Sequence, residues 1–350
     1  MNRSTPSRFR SGGVIGRVHN EMLATNRTQR ANFHEKSDPQ SEYLAARQGA
    51  VVIERSYEGR LQAVGRDRLD LLHRMSTNDL NGMAVGEARC TVLTTAIARI
   101  VDVLWVLNRG ETVLCLTGAG RAAAVRKWLS GYIFYNDQVK FEDVSNGLGQ
   151  LGIYGPRAGA VVEALTTGTN ALVENRFVER EDLIVWHSRP LAGAGYTLIA
   201  PVERLESLWD QALAAGATPA GEEAFQMLRL AAGWPEAGHE ITEEFIPLEA
   251  NLWDAVSFSK GCYIGQEIIA RMESRGRLAR RLVGLTLEAP VEVGSEVRVD
   301  EGIAGKVTSA GIIPEVGPVA LSFLKTAFAE PGTRVRVGEV GGVVVGLPFI

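Results

Sequence analysis

The sequence predicts an α+β protein with two α+β domains followed by a small antiparallel β-barrel. Between residues 47 and 145, segments with period-two alternation of apolar residues are interleaved with short amphipathic helices. A second stretch of the same kind occupies residues 146–220. From residue 281 onward the chain changes to short, valine-rich strands separated by glycine, which is typical of a small barrel. A length of 350 residues agrees with two or three domains at about 150 residues each.

The first α+β domain is predicted to cover residues 37–145. Its helix RDRLDLLHRMSTNDL places Leu69, Leu72 and Met75 three residues apart, as on one helix face. A second, alanine-rich helix follows in GAGRAAAVRKWLSGYI. Strands are predicted at AVVIERS, RLQAVG, RCTVLTT, IVDVLWVL, ETVLCLTG and QVKFEDVS.

The second α+β domain, residues 146–220, opens with QLGIYGPRAGAVVEALTTG, a strand that leads through Gly155 and Pro156 into a helix. This turn has neither a GxGxxG nor a GxxxxGK[ST] pattern, so it does not predict a nucleotide site. Two strands, LIVWHSRP and YTLIAP, and the helix VERLESLWDQALAAG complete the domain.

A helical connector, residues 221–280, is predicted between the second domain and the barrel of residues 281–350. Its helices are EEAFQMLRLAAG, IPLEANLWDAV and IGQEIIARME. The barrel strands are LVGLTLE, SEVRVD, IAGKVTSAG, GPVALSFL, TRVRVG and GGVVVGLPF.

Composition excludes several classes of function. Hydrophobic residues at 45% and charged residues at 22% are ordinary for a globular protein, and no run of 18 apolar residues could span a bilayer. A net charge of -4 gives no basic footprint for nucleic acid. Three cysteines without CxxC spacing predict neither a disulfide framework nor a metal site. We therefore expect a cytoplasmic protein with no membrane or direct nucleic-acid partner.

The first 36 residues differ in charge from the rest of the chain. Seven basic residues against two acidic ones give residues 1–36 a charge of +5, which leaves -9 for the remaining chain. We expect a disordered tail or an upstream start codon. The alternative is a transit peptide to the mitochondrial matrix, since the segment is rich in arginine and poor in acids.

The three cysteines have different settings. Cys90 in RCTVLTT and Cys115 in TVLCLTG lie in alternating, β-branched segments, where a cysteine acts as a small hydrophobe. Cys262 lies instead between a lysine and two glycines, in KGCYIGQE.

The KGCYIGQE segment has features of a reactive thiol. Gly261 and Gly265 allow a close backbone approach, and a helix is predicted to begin shortly after Cys262. The helix N-terminus and the ammonium group of Lys260 would both favour the thiolate. In the alternative interpretation, Cys262 is a buried helix-entry residue and Lys260 a solvated surface charge.

KGCYIGQE, with IPLEAN before it and IIAR after it, resembles the signature of the YgfZ-type folate-binding family, whose members are relatives of the glycine-cleavage aminomethyltransferase and assist iron–sulfur cluster proteins. Three further segments match the family and occur in its order: STNDL, Gly155-Pro156 and LRLAAGWPEAGHEI. With the terminal strands, the resemblance covers residues from about 40 to 350. It implies a three-domain cloverleaf around a folate cavity, with the third domain a β-barrel. It also implies a role in maturing or repairing iron–sulfur enzymes, including those that modify tRNA. The motif residues carried over are Gly261, Tyr263, Gly265, Gln266 and Glu267, beside the required Cys262.

The resemblance also implies a folate site. A pterin edge presents N–H donors that suit a buried carboxylate, and Asp102 in ARIVDV matches the aspartate of the transferases. Three departures from the transferase pattern weaken the case for one-carbon transfer. Ala98 and Arg99 replace a glycine pair, Val103 replaces a second aspartate, and residues 192–196, AGAGY, lack a glutamate.

Three more residues are candidates for folate contacts. Glu249, on a predicted helix, either meets the pterin or is an ordinary helix acid. Arg229 and Arg271 either bind the glutamate tail of folate or form ordinary salt bridges.

Our leading hypothesis is an accessory protein for iron–sulfur cluster assembly that binds tetrahydrofolate or a one-carbon derivative. In it, Cys262 acts as a thiolate at the mouth of the folate cavity, and Lys260 assists. One cysteine cannot hold a stable cluster, so iron–sulfur client or carrier proteins would share it. The alternatives are a tetrahydrofolate-dependent aminomethyltransferase and a cysteine hydrolase, which would need a histidine near Cys262.

Overall fold

Two open sheets and one closed barrel organise the strands of the described chain. The computed structural model describes residues 38–350, except residue 167, residues 169–171 and residue 277. The predicted tail, residues 1–36, lies outside the described residues.

The elements follow in chain order. The first group is α1 (Pro39–Gln48), β1 (Val51–Glu54), β2 (Glu58–Val64), α2 (Arg68–Met75), β3 (Ala88–Thr94), β4 (Ile100–Asn108), β5 (Thr112–Ala119), α3 (Ala122–Ser130) and β6 (Lys140–Asp143). The second is β7 (Leu148–Gly155), α4 (Ala158–Leu165), β8 (Phe177–Arg180), β9 (Leu183–Ser188), β10 (Ala194–Pro201), α5 (Leu205–Ala214), β11 (Thr218–Ala220), α6 (Glu222–Ala232) and α7 (Gln266–Arg275). The barrel strands are β12 (Arg280–Leu287), β13 (Glu296–Val299), β14 (Gly302–Ile313), β15 (Gly317–Lys325), β16 (Arg334–Val337) and β17 (Val340–Val345). Short 3-10 helices occur at Val202–Arg204, Trp253–Ala255 and Thr326–Phe328.

The sheet order confirms the predicted fold class. One sheet has the order β3-β4-β5-β2-β6, and the other has the order β11-β1-β7-β10-β9-β8. Strands β12 to β17 close into a barrel in which every neighbouring pair is antiparallel. None of the described helices is long and apolar enough to cross a membrane.

Strand β1 belongs to the six-stranded sheet, although its place in the sequence predicts that it is part of the first domain. Val52 pairs with Ile153 of β7 on one side and with Pro219 of β11 on the other. Such a central strand is buried on both faces and therefore has a continuous apolar run, here VVI. Its sheet partners lie about 100 and 170 residues further along the chain, so local pattern could not assign them.

Other differences concern weakly patterned segments. Helix α1 was not predicted, and neither were the short strands β8 and β11. The helix predicted at IPLEANLWDAV was wrong: the segment forms turns and the 3-10 helix Trp253–Ala255. Asn251 takes a positive φ of 59°, which an α-helix does not accommodate.

The two sheets pack face to face through a shared apolar cluster. Leu107 and Leu114 of one sheet meet Ile184 and Ile199 of the other. At the edge of this cluster, the rings of Trp105 and Trp186 lie with centroids 4.8 Å apart.

A buried ion pair connects α6 to the barrel. The Arg229 guanidinium donates to a carboxylate oxygen of Glu240 at 3.2 Å and to the hydroxyl of Ser309 in β14 at 3.0 Å. The Ser309 hydroxyl in turn donates to the second Glu240 oxygen at 2.6 Å. Glu240 is fully buried, so water cannot solvate its charge if Arg229 is removed.

We predict that Glu240→Ala lowers the free energy of unfolding by about 1.5–3 kcal/mol, because Arg229 and Ser309 each lose a buried, charge-assisted hydrogen bond. Glu236, 3.2 Å from Nε of Arg229, keeps the guanidinium partly paired. Glu267→Ala is the matched control, since Glu267 pairs with Arg271 on the surface of α7 and such pairs contribute about 1 kcal/mol or less. Urea unfolding followed by tryptophan fluorescence measures both variants. Equal, small losses would show that the ion pair does not hold the barrel in place.

Candidate functional site

A cavity of about 180 Å³ lies between the two sheets, α6 and the segment 234–241. Its walls combine aromatic rings with charged and amide side chains. The aromatic residues are Tyr57, Trp105, Tyr154, Trp186, Phe225 and Trp234. The polar residues include Arg55, Glu58, Asp102, Gln150, Arg189, Arg229 and Glu236. Such a lining suits a flat, largely apolar ligand with polar groups along its edge.

Asp102 of β4 lies in this cavity and is 1% exposed. Its carboxylate accepts hydrogen bonds from the backbone N–H of Val103 at 2.9 Å and of Gly118 at 3.4 Å. The Arg121 guanidinium lies 3.9 Å away. Burial raises the pKa of Asp102 to about 6, against the smaller, opposing effects of Arg121 and the two N–H groups. The cavity therefore contains a carboxylate whose negative charge is only partly compensated.

The turn before β4 positions this carboxylate. Ala98, which replaces a glycine of the transferase pattern, is buried and takes a left-handed φ of 60°. The turn therefore keeps a backbone conformation that glycine favours. On the neighbouring strand β5, Gly118 leaves room for the carboxylate, because an added Cβ there would lie 3.1 Å from Asp102 Oδ1 and 2.5 Å from Ala237.

Several other polar groups in the cavity wall are buried without a hydrogen-bond partner. Three of them are Nη1 of Arg55, Oε1 of Gln150 and Nε1 of Trp186, and the Tyr57 hydroxyl is a fourth. Unpaired buried donors and acceptors are costly, so a ligand or solvent that supplies their partners is favoured. Two donors, one acceptor and the Asp102 carboxylate fit a pterin, whose edge carries both donors and acceptors. None of the three was predicted as a site residue. The sequence signal for Arg55 and Gln150 is a polar residue in an apolar segment, VVIERS and GLGQLGI, and Trp186 has no such signal.

The structure places the other folate candidates in different contacts. Arg229 lines the cavity, but its N–H groups donate to Gln226, Glu240, Ser309 and the Trp234 carbonyl, as in an ordinary buried ion pair.

Glu249 and Arg271 do not line the cavity. Glu249 lies in a turn rather than on a helix, where its carboxylate accepts from the Ile246 N–H and its carbonyl accepts from Leu282 of β12. Arg271 pairs with Glu267 at 2.6 Å on the exposed face of α7.

The Lys260 side chain is buried, and its ammonium group donates to three backbone carbonyls, those of His73, Ser76 and Asn78. Burial lowers the pKa of Lys260 to about 8. An ammonium group has three N–H bonds, and all three are used. Lys260 therefore clamps its loop to the end of α2, and this corrects its predicted role of assisting the thiolate.

The remaining motif residues attach the loop to the turn before β4. The ring of Tyr263 is buried beside Ala98. Gly265 takes a φ of +84°, and a Cβ at this position would lie 2.7 Å from the Thr95 carbonyl. The Thr94 hydroxyl donates to the Ile264 carbonyl at 2.7 Å. Gln266 begins α7, and Glu267 is exposed in its first turn.

Cys262 and Gly261 are exposed between the buried Lys260 and Tyr263. The loop is thus held on both sides and presents the thiol to solvent. Cys262 is not part of the cavity wall, contrary to the predicted position at the cavity mouth.

The other two cysteines differ from each other. Cys115 is buried in β5, which confirms its structural role. Cys90 lines the cavity, a position that its strand pattern did not predict, and burial raises its pKa to about 11. Within the part of the chain that the structure describes, no three His, Cys, Asp or Glu side chains are grouped to hold a metal ion.

The fold is that of an aminomethyltransferase-like protein of a folate-utilising family. Residues 19–260 match the model of the GCVT N-terminal domain, and residues 280–349 match that of the glycine cleavage T-protein C-terminal barrel domain. The chain therefore belongs to the glycine cleavage T-protein family. Aminomethyltransferases of this family use tetrahydrofolate as their one-carbon carrier, in agreement with the predicted cofactor.

Several relatives are similar over most of their length. The chain is 31% identical to a chloroplastic "Putative transferase" of Arabidopsis thaliana, covering 86% of this chain and 72% of that protein. It is 30% identical to an aminomethyltransferase of Halalkalibacterium halodurans, covering 89% and 90%. The crystal structure of aminomethyltransferase T of the glycine cleavage system from Bartonella henselae superposes with a TM-score of 0.82, 25% identity and 89% coverage of both chains.

We predict that Asp102 makes stability depend on pH. The carboxyl titrates near 3.8 in the unfolded chain and near 6 in the folded protein, so the folded protein binds the proton more tightly. Its contribution to the free energy of unfolding is full below about pH 4 and is lost as the pH rises through about 6. At about 1.4 kcal/mol per pKa unit, the loss is on the order of 3 kcal/mol. Urea unfolding of wild type and Asp102→Asn from about pH 4 to 7 measures it, and a difference between the two proteins that does not change with pH would contradict the assignment.

Proposed function

We propose that the protein binds tetrahydrofolate or a one-carbon derivative in the cavity, with the pterin edge against Asp102. The observation that supports this proposal best is the buried carboxylate beside three unpartnered polar groups, those of Arg55, Gln150 and Trp186. The pterin would satisfy them, and the aromatic walls would exclude water from the one-carbon unit that the folate carries.

We further propose that the protein is a YgfZ-type accessory factor for iron–sulfur cluster assembly or repair, with clients that include enzymes that modify tRNA. Its support is the KGCYIGQE signature together with the exposure of Cys262 on a loop clamped at both ends. An exposed thiol outside the folate cavity can reach a protein partner, whereas it is not positioned to act on the pterin. The Cys262 thiolate would bind a cluster or an iron atom jointly with the partner, since one cysteine leaves the other ligand positions open.

A second candidate function is a tetrahydrofolate-dependent aminomethyltransferase. The names of similar proteins favour it. Asp102 in ARIVDV also matches the aspartate of the transferase pattern. Against it, residues 192–196 provide no second acid, and a transferase has no need of an exposed thiol. Turnover of glycine with a lipoylated carrier protein would establish the transferase.

We predict that Asp102→Asn weakens tetrahydrofolate binding at least tenfold, because it removes the charge that accepts hydrogen bonds from the pterin. Anaerobic calorimetry of the purified protein measures the affinity. Cys262→Ser is the matched control and should bind within about twofold of wild type. A wild type that binds no tetrahydrofolate, or an Asp102→Asn variant that binds it equally well, would reject the folate site.

We predict that Cys262→Ser abolishes function in cells while the protein still folds, because the hydroxyl does not replace a thiolate as a ligand. The measurement is the activity of an iron–sulfur tRNA-modifying enzyme in a deletion strain carrying the variant, compared at equal protein level. Cys90→Ser, which changes the thiol in the cavity, tests whether the effect is particular to Cys262. Full restoration by Cys262→Ser would remove the thiol from the proposal.

A further inference from the structure

A second cavity, of about 260 Å³, adjoins the proposed folate cavity. Four residues contribute to the walls of both: Cys90, Trp105, Arg189 and Leu252. Asp102, Arg55 and Gln150 belong to the first cavity alone. A pterin held by Asp102 would therefore lie in the first cavity and outside the second.

Arg189, at the boundary between the cavities, is a cation without an acidic partner. Its guanidinium lies over the ring of Trp234, 5.0 Å from the ring centroid. Among the described residues, no ion pair or hydrogen bond involves this side chain. The other arginines that line the two cavities each pair with a carboxylate: Arg55 with Glu58, Arg89 with Glu87, and Arg229 with Glu240. A planar guanidinium free of a protein partner is suited to bind a carboxylate with two parallel hydrogen bonds.

The second cavity also contains acceptors. Oδ1 of Asn175 is buried and has no hydrogen-bond partner. The Asp254 carboxylate lies in the same wall. Arg189 and Asp254 shift the pKa of Cys90 in opposite directions, so both charges act on the same thiol, yet they do not form an ion pair with each other. A ligand with one negative and one positive end would satisfy Arg189 and these acceptors together.

We propose that the second cavity binds a small α-amino acid beside the folate, with its carboxylate on Arg189 and its ammonium group toward Asn175 and Asp254. The inference rests on the proposed function, because folate is taken to occupy the first cavity. It adds a second small-molecule ligand, and it makes Arg189 the residue that selects for a carboxylate.

Ligand-observed saturation-transfer NMR with glycine, alanine and serine tests the proposal, with and without tetrahydrofolate. Methylamine and acetate serve as probes that each lack one charged group. We expect wild type to bind at least one amino acid more tightly than either fragment, and Arg189→Gln to weaken this binding at least tenfold. Arg271→Gln, the same substitution on the surface of α7, should have no effect.

Absence of any Arg189-dependent binding across the panel would overturn the proposal. A second result would also overturn it: if Arg189→Gln weakened tetrahydrofolate but not tetrahydropteroate, which lacks the glutamate, the carboxylate would be that of the folate itself. Failure of the folate site is seen separately, as a wild type that binds an amino acid through Arg189 but no tetrahydrofolate.

Discussion

The buried pair of Arg229 and Glu240 is the constraint on which the cavity depends most. Glu240 is fully buried and depends on Arg229 to balance its charge, whereas Arg229 has a second carboxylate partner in Glu236, 3.2 Å from its Nε. Because Arg229 lies on α6 and Ser309 on β14, the pair fixes how the barrel meets the helix. Arg229 also donates to the carbonyl of Trp234, and this holds the ring that covers one side of the cavity and lies against Arg189. A stabilising contact at the barrel thus determines the shape of a binding site formed mainly by the two sheets.

The KGCYIGQE segment combines an anchor with an exposed functional group. Lys260 and Tyr263 are buried, and Gly265 fits tightly against the turn that leads into β4 and Asp102. Only Gly261, Cys262 and Glu267 face solvent. Packing therefore accounts for most residues of the KGCYIGQE segment. It does not account for the exposure of Cys262, since free cysteines are usually buried. The shared turn also connects the thiol loop to the strand that carries Asp102, although the two sites open to different surroundings.

Sequence pattern was sufficient where the signal is local. The six barrel strands are short, valine-rich segments separated by glycine-containing turns, and the predicted barrel is confirmed. Asp102 was found through its motif. Strand β1 falls within the first predicted domain but pairs with strands of the other sheet, and local pattern could not show this because its partners are distant in sequence. Glu249 was predicted on a helix because a positive φ at Asn251 leaves no clear mark in the sequence. The partners of Lys260 are three backbone carbonyls, which no side-chain pattern can reveal. Arg55 and Gln150 are marked in the sequence as polar residues in apolar segments, but which of their atoms lack a partner depends on the tertiary packing around the cavity.

The polar groups that line the cavity lower the stability of the folded protein. A carboxylate with a pKa raised to about 6 and three unpaired polar groups make the fold less stable than an apolar filling of the same space would. Packing alone would favour apolar residues at these positions, so their polarity is most simply explained by a ligand. A ligand that supplies the missing partners binds the folded state alone, and it stabilises that state in proportion to the logarithm of its concentration. The same argument applies to Arg189 and to the buried oxygen of Asn175, which are unpaired on the other side of Trp105 and Cys90. Two adjoining sets of unsatisfied groups are more readily explained by two ligands than by one.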